Sequence, residues 1–358
     1  MIEFIKERTA NMENKVTIYT IAEELGVTPT SVSRAFNPNS KLSEEKRKLI
    51  LETANKYNFQ PNKMASRLSK KEITIGVLIY SYYEQFYSKL IKGIEDAYLD
   101  LKDYKVKYDL RLVDSKKYPS TYCNAVLDEF VRKKYDGIIV SDLINDSNIQ
   151  KLNEVYAKNN NLVFINFDSK KINRLFSSIH DIERASKTAA EFIALGLKFS
   201  ARKNVLVFTD DIMSFSQMKA QNAFSKEAEI LGLNIKGIYE VEKFNKMLEN
   251  NDNNAKKILS DKIDGIYISS GNSMEICKFI DENGLLGKKV IVTYDTYKEL
   301  NDYIRKGVIS ATIFQNSYMQ AKTAFKKLFS HLLGEEAVPS VIYTNFDIVM
   351  KNNLDLYE

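Results

Sequence analysis

The stretch Gly26–Asn37, GVTPTSVSRAFN, gathers hydroxyls and one arginine on a short segment that holds no acid. Thr28 is a good helix N-cap, and Pro29 falls at the first helical position, where its missing N–H costs nothing. Val32 and Phe36, four residues apart, form the inward side. A helix that leads with its N-terminus and carries the hydroxyls of Thr28, Ser31 and Ser33 suits phosphate oxygens. Arg34 is long enough to reach a guanine edge, and Thr30 carries a methyl and a hydroxyl of the kind that pair with base edges.

A second set of chemistry-bearing residues gathers after apolar runs further along the chain: YSYYEQFY, NFD, SSGN and TYD, with ISATIFQNS near residue 315. Carboxylates and amides beside aromatic rings hold saccharide hydroxyls and stack on a sugar face. Neither a G-x-G-x-x-G nor a G-x-x-x-x-G-K-[ST] stretch occurs, so dinucleotide and P-loop sites are not supported. His180 and His331 are the only histidines, which leaves little material for acid–base catalysis or a metal centre. The expectation is no enzyme, no cofactor and no metal. His180 falls at a strand end near the cleft or beside a helix start, and His331 on a helix surface. Cys123 and Cys277 stand far apart without metal-ligand spacing, fit small core positions and point to a reducing cytoplasm.

The elements that position these residues follow from periodicity. Thr17 caps a helix with Ile18, Ile21, Ala22 and Leu25 on one face, and Gly26 stops it. The Thr28 helix comes next, ended by Asn37-Pro38. Ser43 then caps a third helix with Leu49, Ile50, Ala54 and Tyr57 as its apolar side. Two helices joined at Gly26 and backed by a third make a helix-turn-helix, whose second helix enters a major groove. After Pro61 the segment NKMASRLS is too short to be a stable isolated helix in water; among its bases it folds against a partner, DNA. Residues 1–72 hold 13 Lys/Arg against 9 Glu, whereas the remaining 286 residues hold 39 basic against 38 acidic residues. Most of the excess positive charge of +5 therefore sits in the first fifth of the chain, where a polyanion is met.

Beyond Glu72, strands alternate with helices in two rounds: ITIGVLIY, KVKYDLRLVD, DGIIVSD and NLVFINFDS, then KNVLVFTDD, NIKGIYEV, IDGIYISSG and KKVIVTYD. This pattern predicts two parallel-sheet subdomains with ligands beyond the carboxyl ends of the strands. No apolar tract reaches the length of about 18 residues that a membrane span needs. The first 15 residues lack the apolar core of a signal peptide.

The stretches VTIYTIAEELGVTPTSVSRAFN and YNFQPNKMASRLS resemble the DNA-binding headpiece and hinge of the LacI/GalR family of bacterial repressors. That family's pattern runs V-T-[IL]-x-D-[IV]-A-x-x-[AL]-G-V-S-x-x-T-V-S-R-x-[LV]-N, then Y-x-P-N-x-x-A-x-x-L. By this resemblance Pro29, Thr30 and Arg34 are base-reading positions. Thr17, Thr28, Ser31, Ser33 and Asn37 contact phosphates, and Asn62, Ala65 and Leu68 belong to a hinge helix in the minor groove. Leu68 would be the wedge between base steps. Thr20 stands where the family has an acid, which weakens the cap of the first helix. Pro29 has no donor and reads a base only by shape or methyl contact.

The remainder resembles the periplasmic-binding-protein-like sugar-sensing domain of the same family. The implied architecture is an all-α helix-turn-helix headpiece plus an α/β periplasmic-binding-protein-like domain of two parallel-sheet subdomains. The segments are an N-terminal extension (1–14), the headpiece (15–60), a hinge and linker (61–72) and the ligand-binding and dimerisation domain (73–358). Its N-subdomain is expected at about 73–172 and 300–325, and its C-subdomain at about 173–299 and 326–358. The resemblance implies that Phe86 and Tyr87 stack on a ligand, that Asn166, Asp168 and Asp295 bond its hydroxyls, and that Gln315 lies on a hinge strand. Glu84 and Asn272 are further candidates. The family's R-x-x-G-F arginine is absent here, where AQNAF (220–224) stands in its place; Lys219 and Gln217 are the substitutes. A neutral sugar therefore fits better than a phosphorylated effector. The implied function is a cytoplasmic, homodimeric repressor of operator DNA, gated by a small carbohydrate-like effector and independent of membranes. The alternative is an intracellular sugar-binding sensor or enzyme with a non-functional headpiece.

Overall fold

A computed structural model of the 358-residue chain describes residues 16–36, 40–59, 71–81, 84–115, 117–141, 146–210, 215–260, 262–335 and 337–357; the side chains of 81, 84–86, 146–147 and 215 are not described. The chain divides into two units at Glu72/Ile73, with the short turn Asp103–Lys105 grouped with the first.

In the first unit, α1 (Ile18–Glu24), α2 (Pro29–Ala35) and α3 (Glu44–Lys56) enclose a small core of Ile21, Ala22, Val32, Ala35, Ile50 and Ala54. Thr17 caps α1, and Thr20 completes the cap: its backbone N–H donates to Thr17 Oγ1 (3.4 Å), while the Thr17 N–H donates to Thr20 Oγ1 (3.1 Å). This corrects the expected weak cap. A hydroxyl at the third helical position serves the reciprocal capping box as an acid does. A second correction concerns α3. Leu49 is 50% exposed and Tyr57 is exposed as well, because Ile50, Thr53 and Ala54 take the inward face at helical spacing.

The second unit holds two sheets. The first lobe contains β1 (Ile73–Ser81), α4 (Glu84–Leu101), β2 (Val106–Asp114), α5 (Tyr122–Arg132), β3 (Gly137–Ser141), α6 (Asp146–Lys158), β4 (Leu162–Ile165) and β5 (Phe176–His180). The chain then enters the second lobe through α7 (Ile182–Gly196), β6 (Asn204–Thr209), α8 (Phe215–Ile230), β7 (Asn234–Glu240), α9 (Val241–Glu249) and α10 (Asn253–Ile258). It continues through β8 (Gly265–Ile268), α11 (Met274–Glu282), β9 (Val290–Tyr294), α12 (Lys298–Lys306) and β10 (Ala311–Phe314). Helix α13 (Ser317–Leu332) and β11 (Val341–Thr344) return to the first lobe, and β12 (Asp347–Val349) to the second.

The sheet orders are β11-β5-β4-β3-β1-β2 and β12-β10-β9-β8-β6-β7. Apart from β12, which pairs antiparallel with β10, all pairings are parallel. The two lobes thus repeat one strand order. Helices cover both faces of the sheets, so β1 and β3 are runs of buried aliphatic residues rather than alternating ones.

The chain crosses between lobes after His180, after Phe314 and after Thr344. These crossings correct the expected subdomain limits. The first lies beyond residue 172 because Phe176–His180 is a fifth strand of the first sheet. The second lies beyond residue 300 because α12 and β10 stay with the second sheet. The whole of α13 packs on α4 and the first sheet. Gly93 permits that packing: a Cβ there would stand 2.3 Å from the Tyr318 carbonyl oxygen.

Candidate functional site

On the headpiece, α2 begins at Thr28, whose Oγ1 accepts from the Ser31 N–H (3.1 Å) and pairs with Ser31 Oγ (2.9 Å). Val32 and Ala35 point into the core, and Pro29 and Ser31 are half-buried. Thr28, Thr30, Ser33 and Arg34 are exposed, and the first turn of the helix carries no acid. The C-terminal end of α2 is tied down from α3. Ser40 Oγ donates to the Arg34 carbonyl (2.7 Å), and the Arg47 guanidinium donates to the Ser40 carbonyl (3.0 Å) and hydroxyl (3.1 Å). Arg47 thereby ties the last turn of α2 to α3. Thr17 is exposed at the start of α1, and two residues on, Tyr19 is 70% exposed. Asn37, Asn62, Ala65 and Leu68 lie outside the described residues.

In the second unit the polar residues collect at the carboxyl ends of both sheets. Asn166 follows β4 with φ +69°, and Asp295 follows β9 with φ +61°. They occupy equivalent places in the repeat. The Asn166 N–H donates to the Ser178 carbonyl (3.1 Å) and the Asp295 N–H to the Ile313 carbonyl (2.8 Å). Left-handed backbone is costly for residues other than glycine, and Asn and Asp tolerate it best. Asn316 at the second crossing shares it, with φ +54°.

The Asp295 carboxylate accepts from the Gln315 side-chain amide and, at 3.3 Å, from the Gln315 N–H. Burial raises its pKa, opposed by the Gln315 bonds and the nearby Lys89 charge. Lys89 on α4 reaches from the other lobe. Its Nζ donates to the Thr296 carbonyl and hydroxyl, each at 2.8 Å, and lies 4.6 Å from the centre of the Phe314 ring. Burial lowers the Lys89 pKa, and Asp295 opposes that shift. This cation joining the lobes was not foreseen, because a single lysine inside an amphipathic helix carries no spacing signal.

Around the ends of β6 and β8, Gln217 accepts from Thr209 Oγ1 and Ser269 Oγ, both at 2.8 Å. Ser270 Oγ donates to Asp210, and the Asn272 N–H to Ser270 Oγ (2.9 Å). Of the two substitutes for the missing arginine, Gln217 is the one at the strand ends. Lys219 instead pairs with Glu183 at 3.5 Å, and Ala220 is fully buried. Asp168 departs from its expected role. Both of its oxygens are engaged within the first lobe, by Arg174 Nη2 (2.8 Å) and Ser177 Oγ (2.7 Å). Tyr87 is half-buried in the first turns of α4; the side chains of Glu84 and Phe86 lie outside what is described. Glu84 and Phe86 begin α4, after the end of β1.

The sheet ends thus carry Asn166 in the first lobe and Asp210, Gln217, Ser270, Asn272 and Asp295 in the second, with Gln315 at a crossing bonded to Asp295 and Lys89 reaching across to Thr296. Carboxylates, amides and hydroxyls dominate, which suits a ligand rich in hydroxyl groups. His180 ends β5 and is 6% exposed, and burial lowers its pKa to about 4. Asp181, next to it, caps α7 by accepting from the Arg184 N–H. His331 is half-buried beside Lys134 and Lys158 in a shallow polar hollow. Burial pushes both cysteine thiols up to about 12.

Residues 17–62 match the family of bacterial regulatory proteins of the lacI type, and residues 75–336 match the periplasmic binding protein domain family. Over most of its length the chain belongs to the periplasmic binding protein domain family, and its first unit carries the lacI-type match.

Among the relatives, the catabolite control protein A of Staphylococcus xylosus is 30% identical over 209 residues, 55% of this chain and 61% of that protein. The chain thus spans less than two thirds of that relative. A solute-binding protein from Burkholderia graminis in complex with D-arabinose superposes with a TM-score of 0.69 at 18% identity, over 80% of this chain and 98% of that one. The lac repressor dimer bound to operator and an anti-inducer superposes with a TM-score of 0.61 at 19% identity, over 94% and 98%. At these identities the two structures show the fold. Among the described residues no helix is long and apolar enough to cross a membrane, and no His, Cys, Asp and Glu group has the form of a metal site.

Proposed function

We propose that this chain, with its lacI-type headpiece, is a cytoplasmic, sequence-specific DNA-binding regulator, a repressor acting as a homodimer, whose operator affinity is set by a small neutral carbohydrate-like effector held between the two lobes. The observation that carries this reading is the pairing, in one chain, of an acid-free exposed helix face (Thr28, Thr30, Ser33, Arg34) with a two-lobed domain whose strand ends converge on Asp295 and Gln315. Arg34, Thr30 and Pro29 read bases, while Thr17, Thr28, Ser31, Ser33 and Asn37 hold phosphates. Asn62, Ala65 and Leu68 enter the minor groove. Asn166, Asp295, Gln315 and Asn272 bond effector hydroxyls, and Phe86 and Tyr87 stack on the sugar. Glu84 and Asp168 border the same cleft.

The coupling is a two-state one. The effector binds one lobe angle better than another, and the angle decides whether paired hinge segments fold in the minor groove. The sign follows from which angle the DNA-bound dimer holds. The missing arginine and the Asp295 carboxylate favour an uncharged ligand over a phosphorylated one.

The reading is tested by comparing Leu68→Ala with the parent on operator and on random duplex. A wedge at Leu68 predicts a larger loss on the operator. Equal losses on both remove Leu68 from the minor groove.

A further inference from the structure

The internal repeat assigns a partner to each cleft residue. Asn166 and Asp295 correspond, because each follows the fourth strand of its lobe in left-handed backbone and donates its N–H to the next strand, at Ser178 and Ile313. Two residues beyond those acceptors stand His180 and Gln315, each where the chain leaves one lobe for the other. Gln315 spends its side-chain amide and its N–H on Asp295. Its counterpart behaves differently. Both ring nitrogens of His180 lack a hydrogen-bond partner although the residue is 6% exposed.

A neutral imidazole offers one donor and one acceptor, and leaving either unmade in the interior is costly. The surroundings of His180 are polar and equally unspent. Ser178 Oγ, on the same face of β5, has no partner, nor do Ser317 Oγ and Gln320 Oε1 on α13, which packs along β5. The Tyr294 ring, next to Asp295, lies with its centre 6.0 Å from that of His180. Unspent donors and acceptors thus cluster at the two crossings about which the lobes would turn.

We propose that His180 is an effector-contacting, specificity-determining residue of the hinge, whose imidazole pairs with a hydroxyl of an uncharged polyol when the cleft is filled. The proposal rests on the cleft reading above. The low pKa of His180 keeps the ring neutral near pH 7, and a neutral ring serves a hydroxyl as donor or acceptor but gives no charge to a phosphate.

The chain's two histidines make the test direct. Full-length protein with 15N-labelled histidine is titrated with D-ribose, L-arabinose, D-glucose and D-galactose, and separately with D-ribose 5-phosphate and D-glucose 6-phosphate, following melting temperature and the imidazole 15N signals. The proposal predicts that a neutral sugar which raises the melting temperature moves the His180 signals and leaves those of His331, at the far end of α13, in place. His180→Leu then weakens that sugar about tenfold, whereas His180→Gln, which keeps a donor and an acceptor, stays within about threefold. A merely structural histidine changes the ligand-free melting temperature without these ligand effects. Should a neutral sugar bind with both histidines unmoved, the His180 role is overturned and the cleft reading stands. Should only the phosphates bind, or none of the six, the neutral-polyol reading of the cleft fails and this inference falls with it.

Discussion

Lys89 of the first lobe donates to both the carbonyl and the hydroxyl of Thr296 in the second, and its ammonium lies over the Phe314 ring that ends β10. Thr296 passes the connection on, its hydroxyl donating to the Tyr357 carbonyl at 3.2 Å. A desolvated ammonium needs such partners, since hydrogen bonds to charged groups are worth about 1.5–3 kcal/mol and an unpaired buried charge costs more. The bond therefore ties the lobe angle to the surroundings of Asp295. Lys89→Met keeps the apolar stem on Phe314 and removes the tie. Small-angle scattering of the ligand-free protein should then show a larger radius of gyration; an unchanged radius would mean that Lys89 does not hold the angle.

Asp295 holds a carboxylate where burial disfavours the charged form. Because its folded pKa is raised, stability is fully present below the unfolded value and is lost as pH rises from there through the folded one. Asp295→Asn should leave the melting temperature of ligand-free protein at pH 7 equal to the parent's or higher, and abolish the shift produced by a bound sugar. A lower melting temperature with a normal sugar shift would reverse the assignment.

His180 gives the opposite sign. Its folded pKa of about 4 lies below the ordinary value of 6.5, so the unfolded chain takes up the proton first. Stability is complete above about pH 6.5 and falls as pH drops from there toward 4. At pH 5 the loss is about 2 kcal/mol at 1.36 kcal/mol per pKa unit. Asp181 and Tyr294 are the titratable neighbours, and Asp181 opposes the shift. Melting curves of His180→Gln between pH 5 and 7 should be flatter than the parent's. Parallel curves would contradict the burial of a neutral ring.

The headpiece makes a local prediction. Thr20→Val keeps the size of the side chain but removes the acceptor for the Thr17 N–H, and should lower headpiece stability by about 1 kcal/mol. Thr20→Asp should restore the cap. Arg47→Met frees the C-terminal end of α2 and should weaken specific DNA binding about tenfold, chiefly by loosening Arg34. If Thr20→Val melts like the parent, the capping box contributes nothing.

Much of this architecture was legible in the residues. Buried parallel strands announce themselves as runs such as ITIGVLIY, and caps such as Thr28-Pro29 fix helix starts. The fifth strand, FSSIH, was missed as a member of the first sheet because its serines break the apolar run. They are tolerated because Ser177 Oγ bonds Asp168 and Ser178 lies at the crossing. The Leu49 error arose because helical spacing leaves neighbouring apolar residues ambiguous until the packing partners are known. In the cleft, Asp295 and Gln315 were named from resemblance, and their mutual bond is a tertiary fact. Lys89 and the engagement of Asp168 by Arg174 depend on side-chain geometry between elements that no local pattern encodes.

Sequence-specific DNA binding under control of the cleft is the property on which the proposed function stands. Its most direct measurement is the affinity of full-length protein for the DNA immediately upstream of its own gene and for a random duplex of equal length, at about 0.15 M salt, where nonspecific phosphate contacts are weakened. The protein should prefer the upstream DNA by at least about 10³-fold, a preference removed by Arg34→Ala and changed by whichever neutral sugar stabilises the protein. Equal affinity for the two duplexes, with or without sugar, would contradict it.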